Sequence, residues 1–398
     1  MLARCVINQR TYPQYVKYMG SKSKIMDFVL SGINEVHTEG TLCDLFAGSA
    51  TISGALGGEA TIHSNDIQEY SSVLASAYLA RWEPSLGPSL DDILSRAHSL
   101  VRGSLKQLKP LHDYNEPVSL TDFNNVEKQQ RMLIDRSFRR SWHLFLRYYA
   151  GTWWSAEQAA WIDAFRQVAE EYRTSPVYSG ILASLMYAMA YSSQGTGHYA
   201  QYRDANTESS MRDISIYRRR SVAGLFSKKF NETCDFYQRS STVSDHKITA
   251  LDYRECLKKV RGGTVYADPP YAFVHYSRFY HALETLVKYD YPNIQKKAGI
   301  VVKGRYREDR HQSPFCIRSQ VATAFGELFG GVKKARANLV LSYSKNGMIS
   351  LDNLCQLAID QFGRKAIDVM TIDHKHMTLG RQFDRDRDVQ ECLVLIKQ

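Results

Sequence analysis

Short apolar runs that end in small or acidic residues alternate, along this chain, with longer segments of helical period. Residues 41–46 (TLCDLF) form an apolar run of strand length that feeds a glycine-bearing turn, AGSATISGALGG, whose second half can start a helix. The next apolar pulse, residues 60–63, stops at Ser64, Asn65 and Asp66, and helical spacing follows over residues 70–82. Two such cycles are the opening of a parallel α/β sheet. From about Arg81 the pattern changes: Pro84, Gly87 and Pro88 break it, and helix-period segments rich in Arg, Trp and Tyr run to about Phe230. Within them, residues 181–191 (ILASLMYAMAY) are apolar nearly all round, which predicts a buried helix. Strand-like runs return at residues 263–267 (GTVYA), 298–303 (AGIVVK), 337–343 (ANLVLSY) and 391–397 (ECLVLIK). The predicted architecture is a Rossmann-like α/β sheet begun in residues 1–80, interrupted by a mainly helical insertion over 81–245, and completed in 246–398.

Composition narrows the class. Of 398 residues, 44% are apolar and 23% charged, which excludes a disordered chain, and no apolar run approaches the ~20 residues of a membrane span. Fifty-one basic against 41 acidic residues leave a charge of +10, an excess that attracts polyanions. The seven cysteines are scattered with no C-x-x-C pair, which points away from a disulfide framework and a zinc site. With no apolar leader segment at the N-terminus, the expected location is the cytoplasm.

The sharpest local signal is Asp268-Pro269-Pro270-Tyr271, directly after the run GTVYA. Two prolines cannot continue a central strand, so the chain leaves the sheet there, at a strand's carboxyl end, where open α/β sheets bind ligands. A carboxylate, a rigid carbonyl and an aromatic face are thereby presented together. At the first strand end, DLFAGSA sets an acid beside a glycine turn that lacks the spacing of a phosphate loop or a dinucleotide fingerprint, so a cationic or amine-bearing ligand suits it better. Asp66, at the second strand end, stands where an acid takes a ribose diol, or else caps a helix.

The ordered set KYMGSKSKI (residues 17–25), DLFAGSA (44–50), NDI (65–67) and, beyond a long insertion, DPPY (268–271) resembles the Dam-type, D12-class adenine-N6 DNA methyltransferases in their α order, where a target recognition domain separates the cofactor and catalytic motifs. HYSRFYH (275–281) and LVLSYSKNG (339–347) are weaker echoes. Ser21 and Ala50 stand where the family usually has glycine. The resemblance implies S-adenosylmethionine as cofactor, bound by Tyr18, Gly20 and Lys22 from the N-terminal segment, by Asp44, Phe46 and Gly48 around the methionine, by Asp66 at the ribose, and by Asp252 and Tyr253 near the adenine. It also implies catalysis by Asp268, Pro269, Pro270 and Tyr271. An exocyclic adenine amine is a poor nucleophile because its lone pair is delocalised. On a flipped-out base, Tyr271 would stack while Asp268 and the Pro269 carbonyl accept the amine hydrogens and localise that pair. This chemistry calls for no metal.

Double-stranded DNA is the implied partner, and the basic residues of the insertion are its expected phosphate contacts: Arg136, Arg139, Arg140, Arg147, Arg203, Arg218, Arg219, Arg220, Lys228 and Lys229. The loop SSQGTGHYAQYR (192–203) offers His198, Tyr199, Gln201 and Arg203 for base edges or for an ordinary surface loop. Cytosine N4, an RNA adenine, and a catalytically silent nucleic-acid-binding protein of this fold remain alternatives. A monomer is expected, and any cognate restriction endonuclease would be a separate chain.

Overall fold

The computed structural model describes residues 12–106, 108, 114, 119–195, 197–240, 243, 245–270, 275–345, 347–377 and 386–398, with the backbone alone at 374–377 and 386–389. The main sheet has seven strands: β1 Leu42–Asp44, β2 Ile62–Asn65, β3 Lys247–Thr249, β4 Thr264–Ala267, β5 Asn338–Ser344, β6 Ile367–Met377 and β7 Asp386–Ile396. Their order is β3-β2-β1-β4-β5-β7-β6. The first five lie parallel, and β7 runs antiparallel between β5 and β6. β1, β2 and β4 are buried throughout, as strands covered on both faces must be.

Side-chain alternation sorts the strand residues into two layers. Leu393 and Leu395 join the hydrophobic cluster on one face, with Leu42, Ile62 and Tyr266; Val394 and Ile396 join the other, with Cys43 and Val265. The first cluster takes in helices α1 Met26–Val36, α2 Thr51–Leu56 and α3 Glu69–Leu79 and continues into five of the seven inserted helices. The inserted helices are α4 Leu90–Leu105, α5 Leu120–Arg131, α6 Leu144–Tyr148, α7 Ala156–Glu170, α8 Val177–Ser192, α9 Glu208–Arg218 and α10 Val222–Arg239, of which α5 and α9 share a separate small cluster around Phe123, Met211 and Ile214. Hydroxyl side chains start most of them: Ser89, Ser119, Ser155, Thr207 and Ser221 each accept a backbone N–H of the first turn. As its sequence predicts, α8 is buried on nearly every side. After the insertion come α11 Tyr253–Leu257, α12 Tyr276–Phe279, α13 His281–Lys288, α14 Val321–Ala335 and α15 Leu351–Phe362. Among the described residues no helix is long and apolar enough to cross a membrane.

One expectation needs correction. The run AGIVVK is not a strand of the main sheet: Ile300–Val301 pairs only with Lys296–Lys297 in a two-stranded hairpin. It is too exposed to be core, Ile300 being 75% accessible. β3 and β6 escape the apolar pattern because both are edge strands, which need no continuous apolar run. The helical lobe also takes contacts from chain beyond 246. The segment after DPPY packs into the helical lobe: Trp153 Nε1 donates to Gly304 O (2.9 Å), Arg166 Nε to Leu286 O (2.8 Å) and Tyr289 Oη to Trp142 O (2.8 Å).

The sheet's ordering fixes where a ligand can sit. From β1 the chain builds outward through β2 and β3, and then crosses back to lay β4 on the other side of β1. The connections leaving β1 and β4 therefore diverge and leave a crevice at their carboxyl ends. Asp44 pairs in register with Tyr266, two residues before Asp268, so both strand-tip acids open into that crevice.

Candidate active site

The turn after β1 is shaped by backbone conformations that small residues permit. Gly48 has φ +53°, and a Cβ there would lie 2.8 Å from the Tyr18 ring, so the turn and the N-terminal segment touch only because that side chain is absent. Ala50 adopts the left-handed conformation too (φ 55°), carrying a strain that glycine would relieve. Ser21 has φ −54° and needs no glycine; its hydroxyl accepts the Ser23 N–H and starts a short 3-10 turn, Lys22–Ile25. Asn65 locks the neighbouring strand ends together. Its amide donates to the carbonyls of Leu45 and Leu251 (3.1 Å each) and accepts from Thr249 Oγ1 (2.7 Å) and Leu251 N (3.2 Å). Asp66 follows, accepting the N–H groups of Gly48 and Gln68, both at 2.9 Å. Burial lifts its pKa to about 6 against the pull of those two bonds. The helix-cap alternative is thereby refined: the N-cap of α3 is Gln68, and Asp66 braces the turn in front of it.

Two carboxylates meet across the crevice. Asp44 is 1% exposed and neither of its side-chain oxygens has a hydrogen-bond partner. Its pKa is pushed well up, by burial first and then by the negative charges of Asp268 and Asp66. An acid so placed calls for a cation. Asp268 has one: Lys22 Nζ lies 3.2 Å from Asp268 Oδ1 and, on its other side, 3.2 Å from Glu391 Oε2. Lys22 and Glu391 are 5% and 2% exposed, so a single buried ammonium bridges two carboxylates from β7 and the DPPY strand. Burial raises Asp268 to about 6; Lys22 opposes the rise and Glu391 adds to it.

The remaining walls are aromatic and rigid. Tyr18 stacks on Tyr280 (4.7 Å between centroids, 13° between planes), whose hydroxyl accepts the Met19 N–H at 2.7 Å. Phe46 and Phe315 pack edge to face at 5.5 Å, with Tyr253 against both. One cavity is lined by Tyr18, Gly20, Lys22, Asp44, Phe46, Asp66, Asp252, Tyr253, Asp268, Pro269 and Pro270. The sequence-predicted pocket residues thus converge from segments more than 200 residues apart, with Gly48 just behind them. Two are oriented by other duties: Asp252 caps α11 through the Arg254 N–H, and Tyr253 donates to Glu327 Oε2 at 2.9 Å. Tyr271 lies outside the described residues. Sequence reasoning missed Glu391, Tyr276, Tyr280 and Phe315; the first is betrayed only as a lone acid opening an apolar strand.

A family model described as D12 class N6 adenine-specific DNA methyltransferase matches residues 18–333, from the N-terminal aromatic wall through α14. The chain belongs to that family. Among similar proteins, modification methylase LlaI of Lactococcus lactis subsp. lactis is 26% identical over 96% of this chain and 55% of its own length. Modification methylase StsI of Streptococcus sanguinis is 21% identical over 96% of this chain and 52% of its own. Type II methyltransferase M.NlaIII of Neisseria lactamica is 22% identical over 93% of this chain and 95% of its own. The chain spans about half the length of the first two and nearly all of the third. Membership of the D12 class accords with the doubly wound sheet and its crevice; Glu391 lies beyond the range that the family model matches.

The residues expected to touch DNA divide by burial. Arg139, Arg140, Gln201, Arg219 and Lys228 are exposed on the helical lobe. Arg203 is exposed and paired with Asp213 at 2.6 Å, and Arg220 donates to Tyr191 O at 2.6 Å while stacking on Tyr217. Arg136 is exposed over Phe138, and Arg147 donates to Ile134 O. Four expectations are overturned. Tyr199 is fully buried against Trp153 and Trp154; His198 is 3% exposed and packed on Phe279, its pKa pulled down to about 4 by burial. Lys229 is 3% exposed, bonded to Glu232 and set over Tyr187. Arg218 has no side-chain exposure: it bonds Glu127 through Nε (2.9 Å) and Nη2 (2.8 Å) and donates to the carbonyls of Trp153 and Thr152. A basic residue's sequence neighbours do not reveal whether it faces water. Arg218→Met is expected to cost about 3–5 kcal/mol of folding stability by stranding Glu127, read as a lowered urea midpoint; an unchanged midpoint returns Arg218 to the surface.

Proposed function

We propose that this chain transfers a methyl group from S-adenosylmethionine to the N6 amine of an adenine flipped out of double-stranded DNA at a specific sequence. The observation that carries the reading is the pairing of two unlike acids in one crevice: Asp44, buried without a partner, and Asp268, held by Lys22. The donor fits the residues present. Asp44 offers unsatisfied oxygens to an ammonium, Asp66 presents a braced carboxylate to a diol, and the aromatic walls suit an adenine ring. When bound, S-adenosylmethionine supplies a methyl carbon on a sulfonium.

The chain's own part is alignment and polarisation. Asp268 accepts a hydrogen from the exocyclic amine, with a carbonyl of the rigid Pro269-Pro270 pair as second acceptor, and so concentrates the nitrogen's lone pair toward the methyl carbon. Lys22 keeps Asp268 ionised and oriented in a site whose burial otherwise favours its protonated form. Exposed Arg139, Arg140, Arg219 and Lys228 hold phosphates, and Gln201 and Arg203 are the candidates for base edges.

Expression in a methylation-free host, followed by single-molecule sequencing, tests base and context together. N6-methyladenine confined to one short motif is expected; N4-methylcytosine in that role, or an unmodified genome despite folded protein, contradicts the reading.

A further inference from the structure

Directly beneath the crevice, on the other face of β1 from its strand-tip acid, three side chains that the transfer chemistry does not use come together. Cys43 of β1, His63 of β2 and Cys256 of α11 are 1%, 3% and 0% exposed. Their ligand atoms lie within 4.8 Å of one another. Cys43 Sγ is 3.9 Å from Cys256 Sγ, and Cys256 Sγ is 3.8 Å from His63 Nε2. Two thiolates at ~2.3 Å and an imidazole nitrogen at ~2.0–2.1 Å from one ion stand about 4 Å apart when arranged trigonally around it. The Cys43–Cys256 and Cys256–His63 spacings fit that arrangement, and the two sulfurs are far too distant for an S–S bond of ~2.05 Å. We propose that Cys43, His63 and Cys256 form a buried three-ligand site for a thiophilic d10 ion such as zinc(II).

The balance of charge and protons supports burial of such an ion. Thr249 Oγ1 gives its own hydrogen to Asn65 Oδ1 (2.7 Å), so at 3.0 Å from His63 Nε2 it accepts from the imidazole in the metal-free site. Loading sends the two thiol protons to solvent and moves the imidazole proton from Nε2 to Nδ1, leaving two thiolates and one dication. The loaded site is neutral overall, which removes the main penalty on burying an ion. Its three ligands come from three elements that frame the crevice: β1 ends in Asp44, β2 ends in Asn65 ahead of Asp66, and α11 is capped by Asp252. The ion would therefore pin the donor pocket's floor without taking part in methyl transfer. Ligands 20 and 193 residues apart escape any reading based on spacing along the chain, which is why the sequence points away from zinc.

The test uses the full chain refolded from urea with a phosphine reductant and either zinc(II) or cobalt(II), then freed of unbound metal. About one zinc per chain is expected, together with a thiolate-to-cobalt charge-transfer band in the near ultraviolet for the cobalt form. Cys43→Ser and Cys256→Ser should each lower retained metal about tenfold or more and erase the band, while Cys355→Ser, on α15, should keep both. Less than about a tenth of an equivalent in the unsubstituted chain, or metal and band that survive both Cys43→Ser and Cys256→Ser, overturns the proposal. Should a serine variant fail to refold, the cobalt spectrum of the unsubstituted chain decides: a refolded chain without sulfur-ligand bands rules the site out.

Discussion

Asp268→Asn is expected to lower the single-turnover rate of methyl transfer about a thousandfold while leaving S-adenosylmethionine affinity within a few-fold. On the proposed function the carboxylate is the charged acceptor for the amine hydrogens, and an amide of the same shape keeps the pocket closed but withdraws the charge. Burial sets Asp268 near 6, so the pH dependence has a definite sign. The acceptor must be ionised; the rate should therefore be level above about pH 7 and fall about tenfold per unit below pH 6. Asp268→Asn should show no such limb in its residual rate. A full rate for the variant, measured by quenched methyl incorporation into DNA, removes Asp268 from the chemistry.

Lys22→Met should produce the second large effect, and on two readouts at once. Removing the ammonium takes away the cation that Asp268 and Glu391 share in a buried site. Stability should drop by about 3–5 kcal/mol, seen as a lower urea midpoint. The acid limb of activity should move to higher pH, because Lys22 is what pulls the Asp268 pKa down and Glu391 pushes it up. Glu391→Gln should move the limb the other way, to lower pH. The double variant Lys22→Met, Glu391→Gln removes one charge of each sign and should recover most of the lost stability without recovering the rate. If Lys22→Met leaves midpoint and acid limb where they were, the bridge has no role in holding Asp268.

How much of this could be read from the chain alone follows from how local each signal is. Asp44, Gly48, Asp66 and Asp268 declare themselves because each sits at a strand tip or in its turn, and a strand tip in a doubly wound sheet is a position of known consequence. Prolines at 269 and 270 fix the end of β4 with no tertiary information. The Lys22–Glu391 bridge spans 369 residues, and no local pattern announces it. The burial of Arg218 and Tyr199 is equally silent, since one Arg in a run of three looks like the next until Glu127 is placed beside it. Ile300–Val301 misleads in the opposite direction, an apolar run that β-propensity favours and the fold leaves on an outer hairpin.

The central claim is a division of labour in one crevice, with Asp44 holding the donor and Asp268 acting on the acceptor amine. Calorimetric titration of S-adenosylmethionine into Asp44→Asn and Asp268→Asn proteins, each paired with a single-turnover rate at saturating donor, measures that division directly. The expected result is a dissociation constant raised about tenfold or more with the rate largely retained for Asp44→Asn, and the reverse pattern for Asp268→Asn. Donor affinity unchanged by Asp44→Asn, or lost equally in both variants, would contradict it.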